Sequence, residues 1–176
     1  MHIIDTKFKG LKIIQQKKHE DKRGNLRETF KKRIIKWDEL IFDYTTTSKK
    51  NVLRGFHFQL KFQQVKFVSV LKGKILDCVI DLRKKSKTFG KSFFIELSEK
   101  NCKSLYIPEG FAHGFCVLSK EADVYYKVSN EYSPKDEGGI IWNDPGLNIE
   151  WPVSKPIVSS SDSQLPLFEN LDDYFA

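Results

Sequence analysis

The sequence predicts an antiparallel all-β sandwich or barrel with short peripheral helices. Three observations carry this: apolar residues recur with period two over short runs, turn residues separate those runs at near-regular intervals, and helical periodicity is scarce. The 176 residues suit one domain, 1–176, and are too few for two ordinary ones. A hydrophobic fraction of 40% against 30% charged residues supports a packed core and excludes a disordered chain.

Val52–Gln59 is the first strand that the pattern picks out. In Gln64–Leu71, Val65 and Phe67 fall on one face, and Lys66, Val68 and Val70 on the other. Lys72-Gly73 joins this run to Lys74–Asp81, and two β-rich runs around a glycine turn predict a hairpin. Further strands are expected at Ser92–Leu97, Ser104–Ile107, Gly114–Leu118, Asp123–Ser129 and Gly139–Trp142. Turns fall at Lys87 to Gly90, Pro108-Glu109-Gly110, Ser133-Pro134 and Asp144-Pro145-Gly146. Only Lys36–Ile41 and Leu167–Tyr174 have a helical pattern, and Ser159-Ser160-Ser161 reads as a loop.

The net charge of +7 permits an anionic partner. The basic residues are scattered, however, in Lys17-Lys18, Lys31-Lys32-Arg33, Lys49-Lys50 and Arg83-Lys84-Lys85, so they read as solvated turns and no nucleic-acid partner is expected. Cys78, Cys102 and Cys116 form no CxxC pair, which argues against a disulfide framework or a zinc site. No apolar run reaches signal-peptide or membrane-spanning length, so a cytoplasmic protein without a membrane partner is expected.

His2 and His19 lie in polar surroundings, whereas His57 and His113 lie within strand-like segments. Pro108, Gly110 and His113 form P-x-G-x-x-H, which resembles the second motif of the cupin superfamily. A metal-binding cupin usually carries His-x-His with a nearby Glu in its first motif. Here the strand reads His57-Phe58-Gln59, and a carboxamide is a poor ligand, so no metal is expected.

NVLRGFHFQ, QVKFV, VIDLRKKSKTFG, IPEGFAHGFCVLS, YYK, EYSP and IIWNDPGLNIEWP follow one another in a fixed order. Together they closely resemble the dTDP-4-dehydrorhamnose 3,5-epimerase family, from about Gly10 to about Leu165. The resemblance implies an antiparallel jelly roll of the cupin type, a homodimer and no cofactor. It implies an isomerase acting on a nucleoside-diphosphate 4-keto-6-deoxyhexose, in rhamnose-type polysaccharide synthesis. By the same resemblance His57 is the base, Asp162 orients it, Lys66 contacts the keto oxygen and Tyr126 donates the proton. Arg23 and Arg54 are implied to bind diphosphate, and Glu28, Gln59, His113 and Tyr132 match pocket positions.

The residue types suit that chemistry. A C4 ketone acidifies the hydrogens on C3 and C5, so inversion needs a base, an enolate stabiliser and an acid across the ring. Taken singly, each residue has a plainer reading: His57 as a core histidine, Tyr126 as packing, Lys66 as a snorkelling side chain and Asp162 as a turn residue. Only their joint occurrence in order favours the chemical one. An ideal strand would put Arg54 and His57 on opposite faces, so a shared pocket requires a bulge, for which Gly55 is the natural place.

The sequence departs from the family pattern at Arg23-Gly24-Asn25-Leu26-Arg27-Glu28, at Phe42-Asp43-Tyr44, where Q-D-N is usual, and at Ser159-Ser160-Ser161-Asp162, where a lysine is lost. Phe42 and Tyr44 thereby place aromatic rings at the expected nucleotide end. Two other readings stay open on sequence alone: a mono-epimerase acting on a GDP- or other NDP-linked 4-keto sugar, and a noncatalytic sugar or nucleotide binder.

Overall fold

A computed structural model of the protein describes residues 1–32, 40–171 and 175. Among them are thirteen strands. The first five are β1 (His2–Asp5), β2 (Lys12–Gln15), β3 (Lys17–Asp21), β4 (Gly24–Glu28) and β5 (Phe42–Lys49). Next come β6 (Leu53–Gln59), β7 (Lys66–Lys72), β8 (Lys74–Asp81) and β9 (Ser92–Ser98). The last four are β10 (Lys103–Ile107), β11 (Phe111–Val117), β12 (Glu121–Val128) and β13 (Glu137–Gly139).

The strands form a two-sheet antiparallel jelly-roll sandwich, the all-β class expected from the sequence. One sheet has the order β1-β2-β10-β7-β12-β5 and the other β13-β6-β11-β8-β9, while β3 and β4 form a separate hairpin. Period-two patterning builds the shared core. Ala122, Val124, Tyr126 and Val128 of β12 meet Val68 and Val70 of β7, Ile75 and Val79 of β8, and Phe111, Phe115 and Val117 of β11. The opposite face of the five-stranded sheet is also covered: Phe56, Phe58, Cys78 and Ile80 pack with Ile140, Trp151, Phe168 and Phe175.

The expected hairpin of Gln64–Leu71 with Lys74–Asp81 does not form. β7 lies between β10 and β12 in one sheet, and β8 lies between β11 and β9 in the other. Gly73 turns the chain from sheet to sheet with φ +78°, and a Cβ there would lie 2.1 Å from the Glu121 carbonyl oxygen. Both faces of β8 carry apolar residues, so it needs cover on both sides, which an inner strand of the second sheet receives.

The five strands before Lys50 are absent from the period-two reading. Residues 36–39 of the expected first helix lie outside the described residues, and Leu40 and Ile41 are not helical. The expected C-terminal helix is a 3-10 turn at Phe168–Asn170, with 172–174 outside the described residues. A second 3-10 turn, Asp162–Gln164, carries Asp162 to β6.

Candidate active site

β5 and β13 end the two sheets on the same side of the sandwich. There the inward rows of side chains change from apolar to polar, and the space between the sheets opens into a cavity of about 480 Å³. That is the size of a small-ligand site. Tyr44 and Thr46 of β5, Arg54 and His57 of β6, Lys66 of β7, His113 of β11 and Tyr126 of β12 line it, with Tyr132, Glu137 and Asp162 from beyond them.

The required bulge is present. His113 pairs with His57 and Phe115 with Arg54, so two steps along β11 match three along β6. Gly55 has φ +108°, and a Cβ would lie 2.6 Å from the His113 carbonyl oxygen. Only glycine fits, and the extra residue turns both Arg54 and His57 into the cavity. Its N–H, freed from the ladder, donates to Asp162 Oδ2 at 3.0 Å.

The other oxygen of the same carboxylate, Asp162 Oδ1, lies 2.8 Å from His57 Nε2. A carboxylate only accepts, so Nε2 carries a proton, and in the neutral imidazole Nδ1 is the nitrogen left with a lone pair. Burial by itself would raise the Asp162 carboxyl, but the hydrogen bonds from His57 and Gly55 outweigh it and hold the carboxyl below its ordinary range. The Asp162 N–H donates to Ser159 Oγ at 3.0 Å, which fixes the serine loop.

Lys66 points inward beside Val68 and Val70, as its position in the alternation predicts. Burial pushes its ammonium down to about 8, against a weaker upward pull from Glu137 and Asp77. The Tyr126 phenol is driven well above its usual value, first by burial and then by Tyr44 and Asp77, against Arg54. It is therefore a neutral O–H at physiological pH. Its ring and that of His113 make a T-shaped pair with centroids 6.0 Å apart. His113 Nε2 lies 2.9 Å from Asp77 Oδ2, a second buried histidine–carboxylate pair. Asp77 Oδ1 and Thr46 Oγ1 are buried without a hydrogen-bond partner among the described residues.

Seven of the ten residues selected from sequence thus meet in one cavity: Arg54, His57, Lys66, His113, Tyr126, Tyr132 and Asp162. Gln59 lines an adjoining lobe with Phe42 and Gln64. Its amide is engaged with backbone, donating to the Phe62 carbonyl at 2.6 Å and accepting from the Ser133 N–H at 2.8 Å. Arg23 and Glu28 are not brought to the cavity. Arg23 is exposed beside Asp21 on the β3–β4 hairpin, with 2.6 Å between Nη2 and Oδ2, and Glu28 pairs with Lys31 at 2.6 Å.

Sequence reasoning missed Asp77, Thr46 and Glu137, and it placed Tyr44 only at the nucleotide end. Asp77 had left a signal, a charge at the inward position between Ile75 and Val79. Among the described residues, no three His, Cys, Asp or Glu side chains cluster as a metal site would require. No helix among them is long and apolar enough to cross a membrane.

Comparison with known proteins gives this geometry its context. The family described as dTDP-4-dehydrorhamnose 3,5-epimerase matches residues 5–170. The chain belongs to that family. A dTDP-4-dehydrorhamnose 3,5-epimerase of Shigella flexneri is 42% identical, with 99% of each chain covered. One from Methanothermobacter thermautotrophicus is 41% identical over 95% of each. Among solved structures, a dTDP-6-deoxy-D-glucose-3,5-epimerase of Legionella pneumophila in complex with dTDP-4-keto-L-rhamnose superposes with a TM-score of 0.93 at 39% identity. That match covers 97% of this chain and 94% of the other. A Bacillus anthracis dTDP-4-dehydrorhamnose 3,5-epimerase with TDP and pyrophosphate bound gives a TM-score of 0.91 at 37% identity, covering 94% and 98%.

The depressed Lys66 predicts a stability slope for this epimerase-family chain. Between about 8 and the unfolded value of 10.5, the unfolded chain holds a proton that the folded protein has lost. Stability should therefore rise with pH across that window, and the cost of the buried ammonium is felt in full below it. Urea unfolding at a series of pH values is expected to show this rise, and Lys66→Met should flatten it.

Proposed function

We propose that the cavity inverts C3 and C5 of a dTDP-linked 4-keto-6-deoxyhexose by general acid–base catalysis, without a cofactor, in a pathway of rhamnose type. One observation carries the proposal: a carboxylate-held histidine, a buried lysine and a neutral buried tyrosine line one cavity in a member of this family. The Legionella and Bacillus relatives, with a dTDP-sugar and TDP bound, support the substrate class.

In this mechanism His57 Nδ1 takes the proton on the carbon next to the ketone. The C–H electron pair becomes the enolate, and the negative charge gathers on the C4 oxygen. Asp162 stabilises the resulting imidazolium through Nε2–H. The buried Lys66 ammonium neutralises the enolate oxygen, and its burial limits how far water weakens the attraction. The Tyr126 hydroxyl returns a proton from the other face and the carbon inverts. The ketone itself is the electron sink. Arg54, held by its Nε donating to Ser48 Oγ at 3.0 Å, takes the diphosphate, and His113 lines the pocket beside it.

The same proposal includes a homodimer in which the β3–β4 hairpin supplies Arg23 and Glu28 to the partner's cavity. Arg23 and Leu26 are exposed on a hairpin that belongs to neither main sheet, which supports this. A cytoplasmic location fits the three free, buried cysteines.

The decisive test is incubation with the dTDP-linked 4-keto sugar in D2O, with deuterium located by mass spectrometry and NMR. His57→Asn should lower exchange at every carbon by about a hundred- to ten-thousand-fold, the usual worth of a general base. Tyr126→Phe should keep exchange but lose inversion, and Lys66→Met should slow both. Near wild-type exchange by folded His57→Asn would refute the assignment. A monomeric mass by light scattering at micromolar concentration would refute the dimer.

A further inference from the structure

We propose that Tyr44 is a positioning residue for Tyr126, holding its ring in the plane from which the hydroxyl returns the proton. This inference rests on the reading of Tyr126 as the acid. Tyr44 and Tyr126 are direct partners in the antiparallel register of β5 and β12. Their rings stack with centroids 4.8 Å apart and planes 9° from parallel. The backbone therefore sets the pair face to face. The His113 ring makes a second, T-shaped contact with Tyr126, centroids 6.0 Å apart and planes at 70°.

The same face of β5 repeats the device. Tyr44, Thr46 and Ser48 point inward in succession, and Ser48 accepts the Arg54 Nε–H at 3.0 Å. One edge strand thus stands behind two of the cavity's functional side chains. Tyr44 also lines both the main cavity and the adjoining lobe with Phe42, so it sits at their junction and not only at the nucleotide end.

Confinement matters because of the order of the two proton transfers. Once the enolate exists, it can be protonated on either face. Return from the His57 side restores the starting configuration with deuterium incorporated; delivery by Tyr126 inverts it. A Tyr126 ring free to swing spends less time with its hydroxyl at the carbon, so the first outcome gains on the second. Inversion falls relative to exchange, whereas a general loss of structure lowers both together.

The ratio of deuterium incorporated with inversion to that incorporated with retention reads this role directly. It is measured in D2O for wild type, Tyr44→Phe, Tyr44→Leu and Tyr44→Thr, with folding checked by circular dichroism. Leu and Thr remove the ring but suit an edge strand, and Phe keeps the stack. The ratio should fall about two- to tenfold in the Leu and Thr variants, the range that an aromatic pair can supply, and Phe should restore most of it. An unchanged ratio in both Leu and Thr, with wild type active, overturns the role of Tyr44 alone. A Phe variant as impaired as Leu overturns stacking as its basis. No exchange by wild type overturns the epimerase reading and this inference with it.

Discussion

The Asp162 carboxylate joins two parts of the molecule that are distant in sequence, β6 and the C-terminal 3-10 turn. One oxygen accepts from the His57 imidazole and the other from the Gly55 N–H at the β6 bulge, while its own backbone is tied to Ser159. Without the bulge, Arg54 and His57 would face opposite sides of β6, and Gly55 N–H would be spent in the ladder. Without the carboxylate, that N–H would be buried and unpaired, at a cost of about 1–3 kcal/mol. The local distortion of β6 and the C-terminal turn therefore stabilise each other, and the histidine's proton is placed by the same contact.

The cavity interrupts an otherwise apolar core. Ile75, Asp77 and Val79 share one inward row, as do Lys66, Val68 and Val70, and each row carries one charge where it passes the site. Lys66 pays for its place with a depressed affinity for its proton, and Asp77 leaves one oxygen unpartnered among the described residues. Such groups are poor choices for stability alone. In the proposed mechanism the buried ammonium faces an oxygen that becomes negative, and its burial makes that charge more effective than it would be in water.

Where the sequence was legible, one physical signal was responsible. β6 to β12 bury at least one apolar face, so period-two patterning marks them, and Gly55 could be named as the bulge from the facing of Arg54 and His57. β5 gave no such signal. Its inward residues Tyr44 and Thr46 line the cavity and Ser48 accepts from Arg54, so the strand that supports the site lacks the hydrophobic stripe that marks a strand. β1, β3 and β4 are short and largely exposed and β2 is only four residues long, and pairing in the folded chain defines them more than composition does. The turn at Gly73 was recognised, but its destination was not: a local glycine turn reads the same whether the next strand pairs with the last or crosses to the other sheet. The ordered motifs identified His57, Lys66, Tyr126 and Asp162; their convergence depends on long-range pairing that no single segment encodes.

The central claim is that Asp162 fixes the His57 tautomer and so leaves Nδ1 as the base. Nitrogen-15 NMR of the imidazoles tests it directly, on uniformly labelled protein at a pH where His57 is neutral. The spectrum is assigned by loss of the His57 signals in His57→Asn. The account predicts a protonated Nε2 and a bare Nδ1 in wild type, and loss of that preference in Asp162→Asn. A wild-type His57 protonated on Nδ1, or a tautomer unchanged in Asp162→Asn, would contradict it.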